Sequence, residues 1–107
     1  MLSEQQIAEA VQRLAASASQ SVEVIVFGSY GRGEAGEDSD LDLLVIENNY
    51  QDKAAEYLRL KEAIGRLGVG VDLLLMSRTE FDRRSQVRGT LPYWAKLEGR
   101  VLHDAAA

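Results

Sequence analysis

The spacing of apolar residues predicts that the chain opens with a helix and continues into a buried strand. Ser3 and Gln6 have the spacing of a capping box, and the residues that follow mark one helical side: Ile7, Val11, Leu14 and Ala18. We expect this helix to end near Ala18. Valines alternate with other residues over positions 21–27, which predicts a strand that enters the interior and stops at Gly28.

The middle of the chain predicts a short helical turn, a second strand and a long helix. Glycines punctuate positions 28–36, where the backbone can take positive φ or approach a ligand closely, so we expect one helical turn from Ser29 and then a loop. Positions 41–46 predict the second strand, which ends at the Asn48-Asn49 turn. A helix capped by Asp52 follows. Its buried stripe is Tyr57, Leu60, Ile64 and Leu67, and the glycines that end it are Gly65 and Gly68.

The last part of the chain predicts a third strand, two short helices and an edge strand. Positions 69–76 are almost continuously apolar, and Asp72 is the exception. A carboxylate buried there would cost several kcal/mol unless a cation or hydrogen-bond donors satisfied it. The remaining predicted elements are a helix from Thr79 to about Val87, a helix from Thr90 and Pro92 through Leu97 that Gly99 ends, and an edge strand over 100–103.

This order of elements indicates an α/β (α+β) sandwich in which helices pack on a small mixed β-sheet. The 107 residues suit one domain with a real core, and no repeat or Pro- and Ser-rich linker marks a boundary, so we expect a single domain over 1–107. The absence of cysteine excludes disulfides, thiolate nucleophiles and Cys-based zinc sites, and it fits a reducing cytosol.

Hydropathy and charge narrow the range of partners. No signal-peptide pattern opens the chain and no apolar run is long enough to span a membrane, so we expect a cytoplasmic protein without membrane contact. The net charge of -5 argues against broad binding to duplex DNA, because DNA-binding proteins usually carry an excess of Lys and Arg on one face. After Ser77 the basic residues outnumber the acidic ones, which leaves room for a basic patch near an acidic site.

Asp40 and Asp42 open the second predicted strand and supply its candidate chemistry. Residues at i and i+2 of a strand share a face, so these two residues lie roughly 6.5 to 7 Å apart at the backbone while Leu41 faces the core. This spacing suits two divalent ions about 3.5 to 4 Å apart. Mg²⁺ fits best, because every donor is a hard oxygen and no Cys or paired His is present. Asp72 completes the site if its strand lies beside this one, where it can hold the metal and help to deprotonate an attacking hydroxyl.

Gly28 and Ser29 end the first predicted strand and are candidates for binding phosphate. A turn at a helix N-terminus offers free backbone N–H groups and a partial positive charge, and the Ser29 hydroxyl adds a donor for the β- and γ-phosphates of a nucleotide. Arg32 lies close enough in sequence to pair with a phosphate oxygen. We therefore expect a phosphate-binding turn opposite a metal-binding carboxylate pair.

The pattern G-S, ten residues and D-x-D resembles the nucleotidyltransferases of the DNA polymerase beta superfamily, in particular their minimal (MNT) branch. The residues that carry the resemblance are Gly28, Ser29, Arg32, Gly33, Asp40, Asp42 and Asp72. The ending E-G-R-V-L-H-D is also similar to the family's C-terminal edge, so the resemblance covers nearly the whole chain. It implies a nucleotidyltransferase-like fold in which the three aspartates hold metal and perform catalysis, while the turn binds the nucleotide.

The resemblance also implies an activity and a partner. Members of this family transfer a nucleoside monophosphate, usually AMP from ATP, to an acceptor hydroxyl and release pyrophosphate. Minimal members are commonly paired with a HEPN-domain protein, and in such toxin–antitoxin modules the MNT protein resembles the antitoxin and adenylylates a tyrosine of the HEPN ribonuclease. Because this chain lacks a separate acceptor domain, the acceptor must be held by a partner or by a second subunit, which leaves a homo-oligomer open.

Other interpretations of these residues are weaker. A calcium loop starting at Asp38 needs Gly at 43 and Glu at 49, where Leu43 and Asn49 stand. The glycine-rich stretch could be a plain connection, and Asp72 could lie on the surface of an edge strand. We expect a solvated helix face at Arg83, Arg84 and Arg88. Tyr93 and Trp94 are expected in the core or in an interface. His103 is an isolated histidine to which we assign no role.

Two other functions stay open at this point. The acceptor could be a small molecule such as an aminoglycoside, or the protein could be a nucleotide-binding or steric antitoxin without catalysis. A polymerase acting on DNA or tRNA is disfavoured, because the acidic balance and small size leave little room for a channel that follows a nucleic-acid strand.

Overall fold

Five helices and four strands follow one another along residues 1–104, the part of the chain that the computed structural model describes. The elements are α1 (Glu4–Ser17), β1 (Val22–Phe27), α2 (Gly28–Arg32), β2 (Leu41–Glu47), α3 (Lys53–Ile64), β3 (Val71–Ser77), α4 (Arg78–Arg84), α5 (Leu91–Glu98) and β4 (Arg100–Asp104). Within this range no helix combines the length and the apolar character needed to cross a membrane.

The strands form one mixed sheet in the order β3-β2-β1-β4. β1 runs antiparallel to both β2 and β4, whereas β3 runs parallel to β2 and is reached by a crossover through α3. The predicted mixed α/β sheet with packed helices is therefore confirmed. β3 and β4 are the edges, and the edge position of β4 agrees with the sequence prediction.

Alternation along β2 builds a core on each face of the sheet. Leu41, Leu43 and Val45 join the cluster that α1 and α3 cover, whereas Leu44 and Ile46 join the cluster beneath α4 and α5. Leu41 is fully buried, as predicted. Since Asp42 alternates with Leu41 and Leu43, it lies on the face of α4 and α5, at the end of the strand before the buried leucines begin.

Several helix ends form at the predicted residues because their side chains satisfy the backbone locally. The Ser3 hydroxyl accepts from the Gln6 backbone N–H at 3.1 Å and the Gln6 side chain accepts from the Ser3 N–H at 2.8 Å, so the capping box of α1 is confirmed. Asp52 caps α3 and Thr90 caps α5 in the same way. Gly65 ends α3 with a φ of 73°, so Leu67 lies beyond the helix and packs at the margin of the core.

The predicted start and end of α4 were wrong. Ser77, at the end of β3, accepts from the Glu80 N–H at 3.1 Å and caps the helix, so Thr79 lies inside the first turn. The helix ends at Arg84 rather than near Val87. The Thr90 hydroxyl donates to the Arg84 and Val87 carbonyls, at 2.7 and 2.8 Å. These carbonyls therefore have a hydrogen-bond donor although the helix does not continue past Arg84. The third strand likewise begins at Val71, two residues later than predicted.

Candidate active site

The register between β2 and β3 brings two of the three predicted aspartates side by side. Asp42 is the direct neighbour of Asp72 across the parallel pair, and the Leu41 N–H bonds the Gly70 carbonyl at 2.8 Å just before it. β3 therefore lies next to β2, the arrangement that a shared site requires. Asp40 precedes β2 and shares the face of Asp42, since the two residues are two positions apart.

Asp72 is exposed rather than buried in an apolar strand. β3 is an edge strand, and Asp72 lies near its start, so the expected cost of burying this carboxylate does not arise. The edge position agrees with the weaker interpretation of Asp72 as a surface residue, yet its pairing with Asp42 also meets the geometry of the stronger one. The apolar residues of β3 that follow lie further along the sheet.

Negative charge is concentrated around Asp42. Burial, a hydrogen bond with Asp72, and the charges of Asp72 and Asp40 raise the pKa of Asp42 to about 6, while the positive charge of Arg32 opposes the increase. The carboxylate of Asp42 is thus repelled by those of its two neighbours. A divalent ion would relieve that repulsion, which is the electrostatic environment expected of a metal-binding carboxylate pair.

Gly28 joins the turn after β1 directly to this pair. Its φ is +67°, and a Cβ atom at this position would lie less than 3.0 Å from Oδ2 of Asp42. Glycine is needed here for two reasons, because other residues rarely adopt that φ and because any side chain would push the carboxylate away. The start of α2, where no side chain caps the first N–H groups, therefore lies against Asp42.

Arg32 closes the same side of the site. Its Nε lies 3.2 Å from Glu34 and its Nη1 lies 3.9 Å from Glu98 of α5. Its charge lowers the pKa of Asp42, so the guanidinium acts electrostatically on the carboxylates. Glu34 accepts a hydrogen bond from Arg32, whereas Glu98 forms only a longer ion pair with it, and the sequence spacing alone did not reveal this partner from α5.

The donor set fits a metal ion that arrives with a nucleotide better than a preformed metal cage. Among residues 1–104 no group of three or more Asp, Glu, His or Cys side chains is arranged to hold a metal ion alone. The Asp40 carboxylate rests over Gly70, where a Cβ atom would lie 2.5 Å from its Oδ1. Mg²⁺ is usually held by one or two carboxylates together with substrate phosphates, so Asp42 and Asp72, with Asp40 adjacent, match this pattern.

Sequence reasoning missed Gly70 as a neighbour of the site. The only signal was its place in G-V-D, two residues before Asp72, where a strand residue would normally carry a side chain on the face of the aspartate. The aromatic pair was expected in a core or an interface. Tyr93 is partly buried and Trp94 is 42% exposed, so Trp94 lies outside the core, and the two rings pack edge-to-face with 5.2 Å between their centroids. Arg83 is exposed and Arg84 is partly exposed on α4, as expected of a solvated helix face, whereas Arg88 is exposed but lies beyond the end of that helix.

Two curated proteins are similar to about half of this chain. One, from Methanocaldococcus jannaschii and provisionally named a protein adenylyltransferase, is 48% identical over 54 residues, which are 48% of this chain and 53% of the relative. The other, protein adenylyltransferase MntA from Thermococcus cleftensis, is 45% identical over 56 residues, which are 51% of this chain and 56% of the relative. The aligned part thus spans about half the length of the curated relatives.

Two solved structures share the fold over nearly the whole chain. A provisionally assigned nucleotidyltransferase from Sulfolobus solfataricus superposes with a TM-score of 0.63 at 21% identity, covering 95% of this chain and 80% of that one. A toxin–antitoxin complex with AMP-PNP contains a chain that superposes with a TM-score of 0.62 at 20% identity, covering 97% of this chain and 75% of that one.

A protein family matches most of the chain. The model of the family described as Nucleotidyltransferase domain matches residues 4–93, from the start of α1 into the first turn of α5. This range contains the glycine turn, all three aspartates and the strands that carry them. The chain belongs to the nucleotidyltransferase domain family.

Proposed function

We propose that the chain acts, as a single minimal domain over residues 1–107, as a Mg²⁺-dependent nucleotidyltransferase that moves AMP from ATP to a hydroxyl of a partner protein. The observation that carries this proposal is the contact between Gly28 and the Asp42 carboxylate, with Asp72 beside it. A phosphate-binding turn and a carboxylate pair separated by no intervening side chain can act on the same phosphate group.

The three aspartates would divide the chemistry between them. Asp40, Asp42 and Asp72 are the candidate metal ligands, and bound Mg²⁺ would supply charge stabilisation at the reacting phosphate. Asp72, which is exposed at the sheet edge, is accessible to an acceptor hydroxyl and would take its proton. The hydroxyl oxygen then bonds the α-phosphorus, the bond from that phosphorus to the bridging oxygen breaks, and pyrophosphate leaves.

The turn would hold the departing end of the nucleotide. The N–H groups at the start of α2 and the Ser29 hydroxyl are donors for the β- and γ-phosphates. Arg32 would pair with a phosphate oxygen after releasing Glu34 and Glu98, which are both at least two-fifths exposed and form only weak surface ion pairs with it. Phosphate would therefore displace these carboxylates at low energetic cost.

A protein acceptor is favoured by the relatives rather than by the site alone. Both curated relatives carry the name protein adenylyltransferase, and one structural neighbour is a toxin–antitoxin complex with AMP-PNP. We propose that this chain likewise serves as the cytoplasmic antitoxin of a HEPN-domain toxin and adenylylates it. The shallow, exposed position of Asp72 suits an acceptor side chain presented by another folded protein.

The test is to incubate the purified chain with ATP, Mg²⁺ and the product of the neighbouring gene, and to measure the intact mass of that product. The proposal predicts the addition of one or more AMP units and the release of pyrophosphate. No added mass, from a folded preparation that binds ATP and Mg²⁺, would refute the protein-acceptor version. Neutralisation of the toxin without any added AMP would favour a steric antitoxin, and pyrophosphate release with small hydroxylated acceptors would favour a small-molecule enzyme.

A further inference from the structure

The short helix α2 cannot hold its own position. It spans five residues, Gly28–Arg32, and its end is fastened by the Glu34 N–H bonding the Ser29 carbonyl at 2.8 Å and the Gly33 N–H bonding the Tyr30 carbonyl at 3.3 Å. A helix of one turn is unstable alone, because nucleation costs more than its few hydrogen bonds return. Its place beside Asp42 must therefore be fixed by contacts with other parts of the chain.

The first such contact comes from the amino-terminal residues. Tyr30 is only 4% exposed, and its hydroxyl oxygen accepts a 2.9 Å hydrogen bond from the backbone N–H of Leu2, which is itself buried. This bond joins residues 28 positions apart in the sequence. The segment preceding α1 is thus attached to the middle of α2.

The second contact comes from the start of β4. The Arg100 guanidinium donates to both carboxylate oxygens of Glu4, at 3.2 and 3.0 Å, and to the Tyr30 carbonyl at 3.3 Å. It bridges the first turn of α1 to the backbone of α2. We call Leu2, Glu4, Tyr30 and Arg100 the amino-terminal clasp.

Two glycines let the clasp hold α2 close to the sheet. A Cβ atom at Gly31 would lie 2.8 Å from the Val26 carbonyl oxygen, and the nearest atom beyond β1 is the Cα of Gly99, at 3.7 Å. A Cβ atom at Gly99 would come within 3.0 Å of the same carbonyl oxygen. Here α2 packs directly on backbone atoms, so few side chains hold it in position. One of these side chains is that of Arg100, which directly follows Gly99.

We propose that the amino-terminal clasp is a positioning device for the phosphate-binding turn, and that Tyr30 and Arg100 are positioning residues for nucleotide binding. The inference rests on the proposed function, since it assigns the clasp to the site formed by Ser29 and Arg32. Loosening the clasp lets α2 shift relative to Asp42, which Gly28 contacts without an intervening side chain. Ser29 and Arg32 then meet the phosphates less often in the required arrangement.

The test uses Tyr30→Phe, which removes only the acceptor of the Leu2 N–H, and Arg100→Gln, which removes the guanidinium. Each should weaken binding of Mg²⁺–AMP-PNP, measured without turnover by titration calorimetry, roughly two- to tenfold, the range expected for one lost hydrogen bond. KM for ATP should rise by a similar factor while kcat changes less. Arg100→Lys, which keeps the charge without the planar fork, should restore part of the affinity.

A matched control separates positioning from stability. Arg84 is as exposed as Arg100 and bonds Glu80 at 3.1 Å on α4, on an element that carries none of the proposed site residues. Arg84→Gln should lower the unfolding temperature about as much as Arg100→Gln but leave the affinity for AMP-PNP unchanged. Equal loss of affinity in the two variants would overturn the proposal, because the effect would then reflect stability alone.

Hydrogen exchange gives a readout that does not depend on the proposed function. Backbone amides over 30–34 should exchange faster in Tyr30→Phe and Arg100→Gln than in the wild type or Arg84→Gln, under conditions where all are folded. Unchanged exchange together with wild-type affinity would overturn the inference while leaving the transferase proposal intact. If the wild type bound neither ATP nor AMP-PNP, the proposed function would fail. In that case, unchanged hydrogen exchange over 30–34 in Tyr30→Phe and Arg100→Gln would also refute the clasp.

Discussion

Replacing Glu47 by Gln should make the chain more stable above neutral pH. Glu47 ends β2 and is 0% exposed, and as a carboxylate it has no hydrogen-bond donor among the described residues. Its neighbour Glu56, on α3, already accepts bonds from the Ser19 backbone N–H and hydroxyl, each at 3.0 Å, and from Arg59 at 2.6 Å. Two buried carboxylates with one arginine favour a state in which Glu47 keeps its proton and donates it to Glu56.

The size of the effect follows from the two pKa values. Burial, the hydrogen bond with Glu56 and the charge of Glu56 raise the pKa of Glu47 from 4.5 to about 8, against the opposing effects of Arg59 and Ser19. Between these values the folded chain holds a proton that the unfolded chain has released, so the free energy of unfolding falls as pH rises from 4.5 to about 8. The slope is about 1.4 kcal/mol per pH unit, or roughly 3 kcal/mol by pH 7.

Glu56 does not change this loss, because its own contribution to stability varies only at lower pH. Burial opposes ionisation of Glu56, yet the bonds from Ser19, the proton of Glu47 and the charge of Arg59 lower its pKa overall. A lowered pKa in the folded state adds stability above the unfolded value and loses it at low pH. Of these two carboxylates, only Glu47 therefore makes the free energy of unfolding depend on pH between 4.5 and about 8.

The assay is urea unfolding of the wild type and Glu47→Gln at each pH from 5 to 9. Glutamine keeps the shape and can still donate to Glu56, so we expect similar stability near pH 5 and a variant that is more stable by about 3 kcal/mol at pH 8. Glu62→Gln, an exposed change on the same helix as Glu56, controls for the lost charge. Curves for wild type and Glu47→Gln that run parallel from pH 5 to 9 would refute the reasoning.

Two further predictions test the turn and the corrected helix start. Gly28→Ala should reduce nucleotidyl transfer at least about tenfold, because the added Cβ meets Asp42 and a φ of +67° costs a non-glycine residue about 1 kcal/mol or more. Gly36→Ala, where the added Cβ lies in open space, should keep full activity. Equal activity in the two variants would contradict the account. Ser77→Ala should lower the free energy of unfolding, measured with urea, by about 1 kcal/mol through loss of the α4 cap, whereas Thr79→Ala should change it less. A larger loss of stability in Thr79→Ala than in Ser77→Ala would show that the cap is misassigned.

Features that depend on neighbouring residues could be predicted from the sequence. The capping box of Ser3 and Gln6 needs only residues three apart, and the alternation of β2 needs only its own leucines and valines. The predicted start of α4 was wrong for a local reason. Ser77 and Thr79 can both cap a helix, and the sequence does not show where β3 ends.

Features that depend on the order of the strands could not be predicted. The apolar sequence around Asp72 indicates burial, but the placement of β3 at the sheet edge leaves it exposed. The contact of Arg32 with Glu98 and the bond of Arg100 to Tyr30 join distant positions. Glu47 is hidden for the same reason, since its burial results from the docking of Glu56 and α3 over the end of β2.

The most direct test of the central claim is transfer of label from ATP labelled at the α-phosphate to the neighbouring gene's protein, with the wild type, Asp42→Asn, Asp72→Asn and Asp38→Asn compared. Asp38 is an exposed aspartate of the same loop and controls for charge. The account predicts full transfer by the wild type and Asp38→Asn. Transfer should fall at least about 100-fold in Asp42→Asn and Asp72→Asn. Even the loss of a residue that only hydrogen-bonds a metal ligand lowers activity or metal affinity roughly 10- to 100-fold. Wild-type transfer by both Asp42→Asn and Asp72→Asn, from folded protein, would contradict the account.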